Sequence, residues 1–228
     1  MMKRTKLNDR KLPDYTKGEE VANALTHFAG VFFGIFALAL CVVYASKRHD
    51  PFRMVAAWIY GISLICLYLV SGIYHVSQPS LFKKIMQVID HCTIYFLIMG
   101  SYMPILLGPV HDASGWLCWV LLVIVCLLSA IGIVFTAIDL DKYEKLSMVC
   151  YLGIGWLSVL WLKTLIKVIS FKGFIYLLAG GIAYTIGAIF YRLGGKRNIR
   201  YMHSVFHVFV LIGTFLQFVC IFHFCILY

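Results

Sequence analysis

Charge is scarce in this chain of 228 residues: Asp, Glu, Lys and Arg together make up 13%, with ten acidic residues against twenty basic ones. Hydrophobic residues fill 62%. A domain this small has too little interior to hide so much apolar surface, so a water-soluble globule is excluded and the bilayer must act as solvent. A continuous basic stripe is also missing. Lys and Arg fall in short clusters between apolar stretches, which argues against nucleic acid as a partner and makes the clusters membrane flanks. The eight cysteines contain no CxxC pair and lie inside apolar segments, so they read as small core residues, not as metal thiolates or a disulfide framework. The first 24 residues are polar and basic, without the apolar core and small-residue cleavage site of a removable signal, and the first helix is expected to direct insertion.

What is present is a series of long apolar runs. A hydrocarbon core about 30 Å thick needs ~20 apolar residues per helix, and runs of that kind occupy 24–45, 54–76, 86–107, 115–136, 147–168, 173–192 and 202–225. The expectation is an all-α integral membrane protein, a seven-transmembrane helical bundle formed by residues 24–228 behind a short basic tail at 1–23. With the tail inside, one side carries six basic residues in the tail, two at Lys83 and Lys84, two at Lys142 and Lys145, and four between Arg192 and Arg200. The other side carries six. Positive flanks stay cytoplasmic, which predicts the N-terminus inside and the C-terminus outside. The chain shows no internal repeat and no second domain.

An ionisable side chain at membrane depth costs a few kcal/mol, so each one needs a partner or a purpose. The candidates are Glu19, Glu20, Asn23 and His27 entering the first helix, Ser71 and His75 leaving the second, Asp90 and His91 opening the third, and His203 and His207 opening the seventh. In a seven-pass chain all of these helix ends lie on one side. His203 and His207 stand four apart and project from one helix face, as a chelating pair must. Ser71 and His75 repeat the spacing. Three imidazoles and a water form a common catalytic zinc shell, which makes His75, His203 and His207 the candidate ligands, although imidazole also suits iron, copper and nickel. Asp90 can hold the water, accept its proton or ligate directly, and Ser71 can orient a histidine or a substrate oxygen. His91 follows Asp90 and points about 100° away, and both His91 and His27 are expected to support the bundle. Glu20 either caps the first helix or pairs with a cation near the site, the cap being the simpler reading. Gly180, Gly181 and Gly187 give the sixth segment a small-residue packing face. Pro104 is expected to kink or end the third.

The order GEExxNxxTHxxG at 18–30, SxxxH at 71–75, DH at 90–91, GSYxP at 100–104, GGxxYTxG at 180–187 and HSxxH at 203–207 resembles the hemolysin III family. That family is related to the progestin and adiponectin receptors and, more distantly, to the alkaline ceramidases. The resemblance implies a seven-pass fold with zinc held by His75, His203 and His207, and with Asp90 and Ser71 beside it. The eukaryotic relatives imply hydrolysis of a lipid amide. The haemolytic activity for which the bacterial members are named implies a rival, a pore or cytolysin in which the metal is structural.

The preferred expectation is a zinc-dependent hydrolase of a membrane lipid amide or ester in the bacterial plasma membrane, with Asp90 as general base and later acid. Its partners would be membrane lipids, and the short loops argue against a hormone ligand. A metal-dependent sensor of membrane state shares the same site.

Overall fold

The computed structural model describes residues 4–197 and 199–227. Lys3 and Asn198, which fall in two of the basic flanking segments, lie outside the described residues. Among the described residues, most from Lys17 onward are helical. Helix α1 spans Lys17–Lys47, α2 Pro51–Val76, α3 Leu81–Ile105, α4 Gly115–Ile138, α5 Leu140–Gly155, α6 Leu162–Arg197 and α7 Met202–Ile221.

Side-chain caps decide where these helices begin, because the first backbone N–H groups of a helix have no partner within it. Thr16 and Glu19 cap α1 reciprocally, so the helix starts seven residues before the expected 24. Asp50 caps α2 with Pro51 following it, Ser80 caps α3 and Asp139 caps α5. Helix α3 carries Pro104 internally, ends at Ile105 and passes into a π-helical turn over Leu106–Val110. The missing proline N–H and its ring account for that change of winding.

Among the described residues, six helical stretches are long and apolar enough to cross a membrane. The two runs expected at 147–168 and 173–192 fall within a single stretch, Leu140–Gly195. The gap expected between these runs, from 168 to 173, holds a break at Ser170, whose φ of 64° and ψ of 164° interrupt α6. A second break lies inside the first of those runs, where a 3-10 turn over Leu157–Trp161 follows α5. Sequence periodicity gave no sign of this one, because the break falls in an unbroken apolar run.

The helices pack in chain order, α1 on α2, α2 on α3, α3 on α4 and α4 on α5, and α7 closes the ring against α6 and α1. Small residues line the tightest seams: Ala37, Cys41 and Ala45 of α1 and Ala56 and Ala57 of α2 have no exposed surface. Backbones approach closely at such positions and gain dispersion contacts that lipid tails cannot supply. Gly180 and Gly213 bring α6 and α7 together in the same way, and a Cβ on Gly180 would stand 3.1 Å from the Gly213 carbonyl. Phe32, Leu127, Val134 and Phe215 stay exposed on the outer faces, as a lipid-facing surface requires. All eight cysteines are free thiols.

Residues 4–16 lie across one end of this ring. The Arg10 guanidinium is buried there, donating to Gln87 Oε1 at 3.0 Å and pairing with Asp141 at 3.3 Å. The Thr5 amide donates to Asp139 at 2.7 Å, and Lys84 donates to the Asn8 carbonyl at 2.6 Å. The basic tail is thus packed onto the bundle through α3 and the start of α5.

Candidate metal centre

The end of the ring beneath this tail collects the polar residues read from the sequence. His27 comes from α1, Ser71 and His75 from the last turns of α2, Asp90 and His91 from α3, and His203 and His207 from the first turns of α7. Ring centroids of His75 lie 5.2 Å from both His203 and His207, which are 4.3 Å from each other. The three expected rings are thus neighbours, but the group of ligand atoms close enough to share one ion is His27, His75 and His207, with His27 in the place expected for His203. His27 joins them, with its ring 4.0 Å from His207 and 5.8 Å from His75. One ligand nitrogen from each of His27, His75 and His207 lies within 4.8 Å of the others. Nitrogens sharing one zinc ion are at most ~4.2 Å apart, twice a bond of about 2.1 Å, so a small side-chain adjustment closes the difference.

Hydrogen bonds show which imidazole nitrogens are free. His75 Nδ1 meets Glu20 Oε2 at 2.7 Å, and its Nε2 is buried without a partner among the described residues. Thr26 donates its hydroxyl proton to the Asn23 carbonyl at 2.7 Å, so toward His207 Nδ1, at 3.3 Å, it can only accept. That leaves His207 Nε2 unprotonated. His203 Nδ1 and His27 Nδ1 are likewise buried and unpartnered. Nearly all buried polar atoms in folded proteins are hydrogen-bonded, and a group of bare imidazole nitrogens facing one another suits a cation that they would share. The residues present therefore fit a divalent metal.

His27 is the ligand candidate that sequence reasoning placed in a supporting role, and the structure gives it both roles, because its Nε2 meets Ser71 Oγ at 2.9 Å. The available signal was the four-residue spacing of Asn23 and His27, which matches that of Ser71 and His75 and of His203 and His207. Asn23 is fully buried and accepts from Ser204 at 2.6 Å, tying α1 to the HxxxH turn of α7. Ser71 thus touches a histidine, as expected, and that histidine is His27. His91 holds the bundle: its Nδ1 donates to the Gln87 carbonyl at 2.8 Å and its own carbonyl accepts from Tyr151 at 3.0 Å.

The simpler reading of Glu20 as a helix cap does not hold. Glu19 is the capping residue and also accepts from the Tyr201 amide and from Arg200. Glu20 bridges His75 and Lys83, the cation that the alternative reading called for. Tyr15 of the tail stacks on His203 with centroids 5.1 Å apart, a contact that no sequence spacing announces.

Asp90, Ser71, His27, His203 and His207 line the head of a cavity of about 440 Å³. It runs down between α3, α5, α6 and α7 along Leu97, Ile98, Leu152, Phe174 and Leu177. A carboxylate beside several imidazoles at the mouth of an apolar channel can bind an amphiphile with its polar group at the metal-binding end.

Comparison with known proteins identifies the family. The family described as Haemolysin-III related matches residues 15–218. The chain is 39% identical over 212 residues to the Hemolysin-3 homolog of Bacillus subtilis (strain 168), covering 93% of this chain and 97% of that protein. It is 37% identical to Hemolysin-3 of Bacillus cereus, covering 89% and 90%. It is 28% identical to the human Monocyte to macrophage differentiation factor, covering 92% and 85%. A family match over most of the length, with two such relatives spanning nearly whole proteins, establishes that the chain belongs to the Haemolysin-III related family.

Proposed function

We propose that this membrane protein holds zinc through His75, His203 and His207 and hydrolyses an amide or ester of a membrane lipid. The observation that carries the reading is the set of unpartnered imidazole nitrogens gathered beside Asp90 at the head of an apolar cavity. The ion, when bound, supplies a Lewis acid that polarises a carbonyl and brings water's pKa toward neutrality. The chain's own residues do the rest. Asp90 accepts a proton from the attacking water and delivers it to the leaving group. Ser71 holds His27 against the cluster through its Nε2. The apolar wall takes the lipid chain and excludes bulk water from the carbonyl.

The membrane topology that accompanies this proposal has seven crossings, with the N-terminus cytoplasmic. The 56 residues of Leu140–Gly195 would extend roughly 80 Å as one helix at 1.5 Å per residue, far beyond a core of about 30 Å. The interruption at Ser170 supports two passes. The clustering of Lys and Arg on the histidine side supports its assignment to the inner face of a plasma membrane.

The test uses the full chain in nanodiscs with a lipid amide. Asp90→Ala is expected to abolish turnover and retain zinc, whereas unchanged turnover overturns the mechanism. The names of the two bacterial relatives favour a second reading, a cytolysin with a structural metal. The carboxylates and imidazoles that line the cavity gather at its histidine end, which argues for chemistry over a conduit. Solute leakage from vesicles, equal with and without zinc, would favour the cytolysin.

A further inference from the structure

Glu20 divides its two carboxylate oxygens between two helices. Oε1 accepts from the Lys83 ammonium at 2.6 Å and Oε2 meets His75 Nδ1 at 2.7 Å. Lys83 is itself buried, 4% exposed, and also donates to the Ser77 carbonyl at 2.9 Å. A carboxylate against a buried ammonium is ionised, and an ionised carboxylate only accepts. His75 Nδ1 must therefore carry the ring proton and donate it. The lone pair is left on Nε2, the buried atom without a partner among the described residues.

The other imidazoles are held less firmly. His207 rests on a neutral hydroxyl at 3.3 Å, and His203 Nδ1 has no described partner. Charge-assisted hydrogen bonds are about twice as strong as neutral ones, so His75 is the ligand whose tautomer and orientation are fixed in advance. We infer that Glu20 is a positioning residue: with Lys83 as its counter-charge, it locks His75 as the Nδ1–H tautomer and aims Nε2 at the metal, making His75 the anchor of the site. This inference rests on the metal reading above. Glu20 stands at the start of α1, His75 at the end of α2 and Lys83 in the first turn of α3. The same clamp therefore joins three helices, and the alternative is that it does only that.

Zinc affinity of the purified full chain, measured by chelator competition, separates the two. Glu20→Ala is expected to weaken zinc binding about 10- to 100-fold, the usual cost of removing a hydrogen bond that orients a ligating histidine. Lys83→Met removes the ion pair, leaves the bond to His75 and should weaken binding much less. In the double variant Glu20→Gln/Lys83→Met, the amide oxygen accepts from Nδ1–H with no ammonium opposite its NH₂ group, and affinity should return close to wild type. The metal-free unfolding midpoint should fall alike in Glu20→Ala and Lys83→Met. Equal losses of zinc affinity in those two variants, or wild-type affinity in Glu20→Ala, overturn the inference.

If the wild-type protein takes up no zinc, the metal reading itself fails. Nitrogen-15 spectra of the metal-free protein then decide the remainder. A single Nδ1–H tautomer at His75 that becomes mixed in Glu20→Ala supports the lock, and a mixed wild-type population refutes it.

Discussion

The two ends of this bundle treat buried polarity in opposite ways. At the end away from the histidines, Arg53 is 6% exposed, yet each of its three guanidinium nitrogens has a partner: it pairs with Asp50 and with Asp112 and donates Nε–H to the Cys225 carbonyl. That network ties the start of α2 to the loop after α3 and to the C-terminal turn. At the histidine end, imidazole nitrogens of His27, His75 and His203 are just as buried and have no partner among the described residues. Satisfied buried charge holds a fold together, whereas unsatisfied buried donors and acceptors in a closed group mark where something else binds.

His207→Ala should break the contrast most severely. Zinc content of the purified protein should fall toward zero, a larger loss than the about 100-fold expected from weakening a supporting hydrogen bond. Elemental analysis reads this directly, and retained stoichiometric zinc would remove the histidine end from consideration. Arg53→Met is the counterpart at the far end. It should lower stability by roughly 2–3 kcal/mol, below the full value for a buried pair because Asp112 is half exposed, and leave zinc unchanged. Denaturant unfolding with metal analysis on the same sample checks both halves.

Gly30→Ala is expected to couple stability to the site. A Cβ there would stand 2.3 Å from the Tyr68 ring, one turn from His27, so α1 must move away from α2. A cost of about 1–2 kcal/mol and a measurable drop in zinc affinity should appear together. Loss of stability with full affinity would show that the histidines tolerate the shift.

The smallest effect concerns acid. Burial works to raise the Asp139 carboxyl, but hydrogen bonds from the Thr5 and Lys142 amides outweigh it and hold it below the usual carboxylate range. A depressed folded value means that this group's stabilisation is present above the unfolded value of about 3.9 and is lost as pH falls through the folded one. The Thr5 end of the tail should loosen from the bundle as pH falls through that depressed value. Limited proteolysis near Thr5 across that range, against Asp139→Asn, tests it.

Much of this was legible in the chain itself. Apolar runs gave the helices, and the periods of SxxxH and HxxxH put Ser71 with His75 and His203 with His207 on single faces. Helix starts were less legible, because Thr16 with Glu19 extended α1 beyond its hydrophobic run. The break at Leu157–Trp161 was hidden in an apolar stretch that hydropathy cannot subdivide. His27 and Glu20 were on the page as polar residues entering α1, but the sequence does not say which neighbour each one meets.

The sequence by itself determined that the protein lives in a membrane, that its helices number several, and that its unusual polar residues share one end. Composition and periodicity are properties of each segment alone, so they survive without knowledge of packing. Tertiary structure decided that Glu20 reaches Lys83 and His75, that Ser71 meets His27, and that Tyr15 covers His203. Those pairings depend on how each helix is rotated about its own axis, and the fit of small residues at the seams sets that rotation only when all the helices are together.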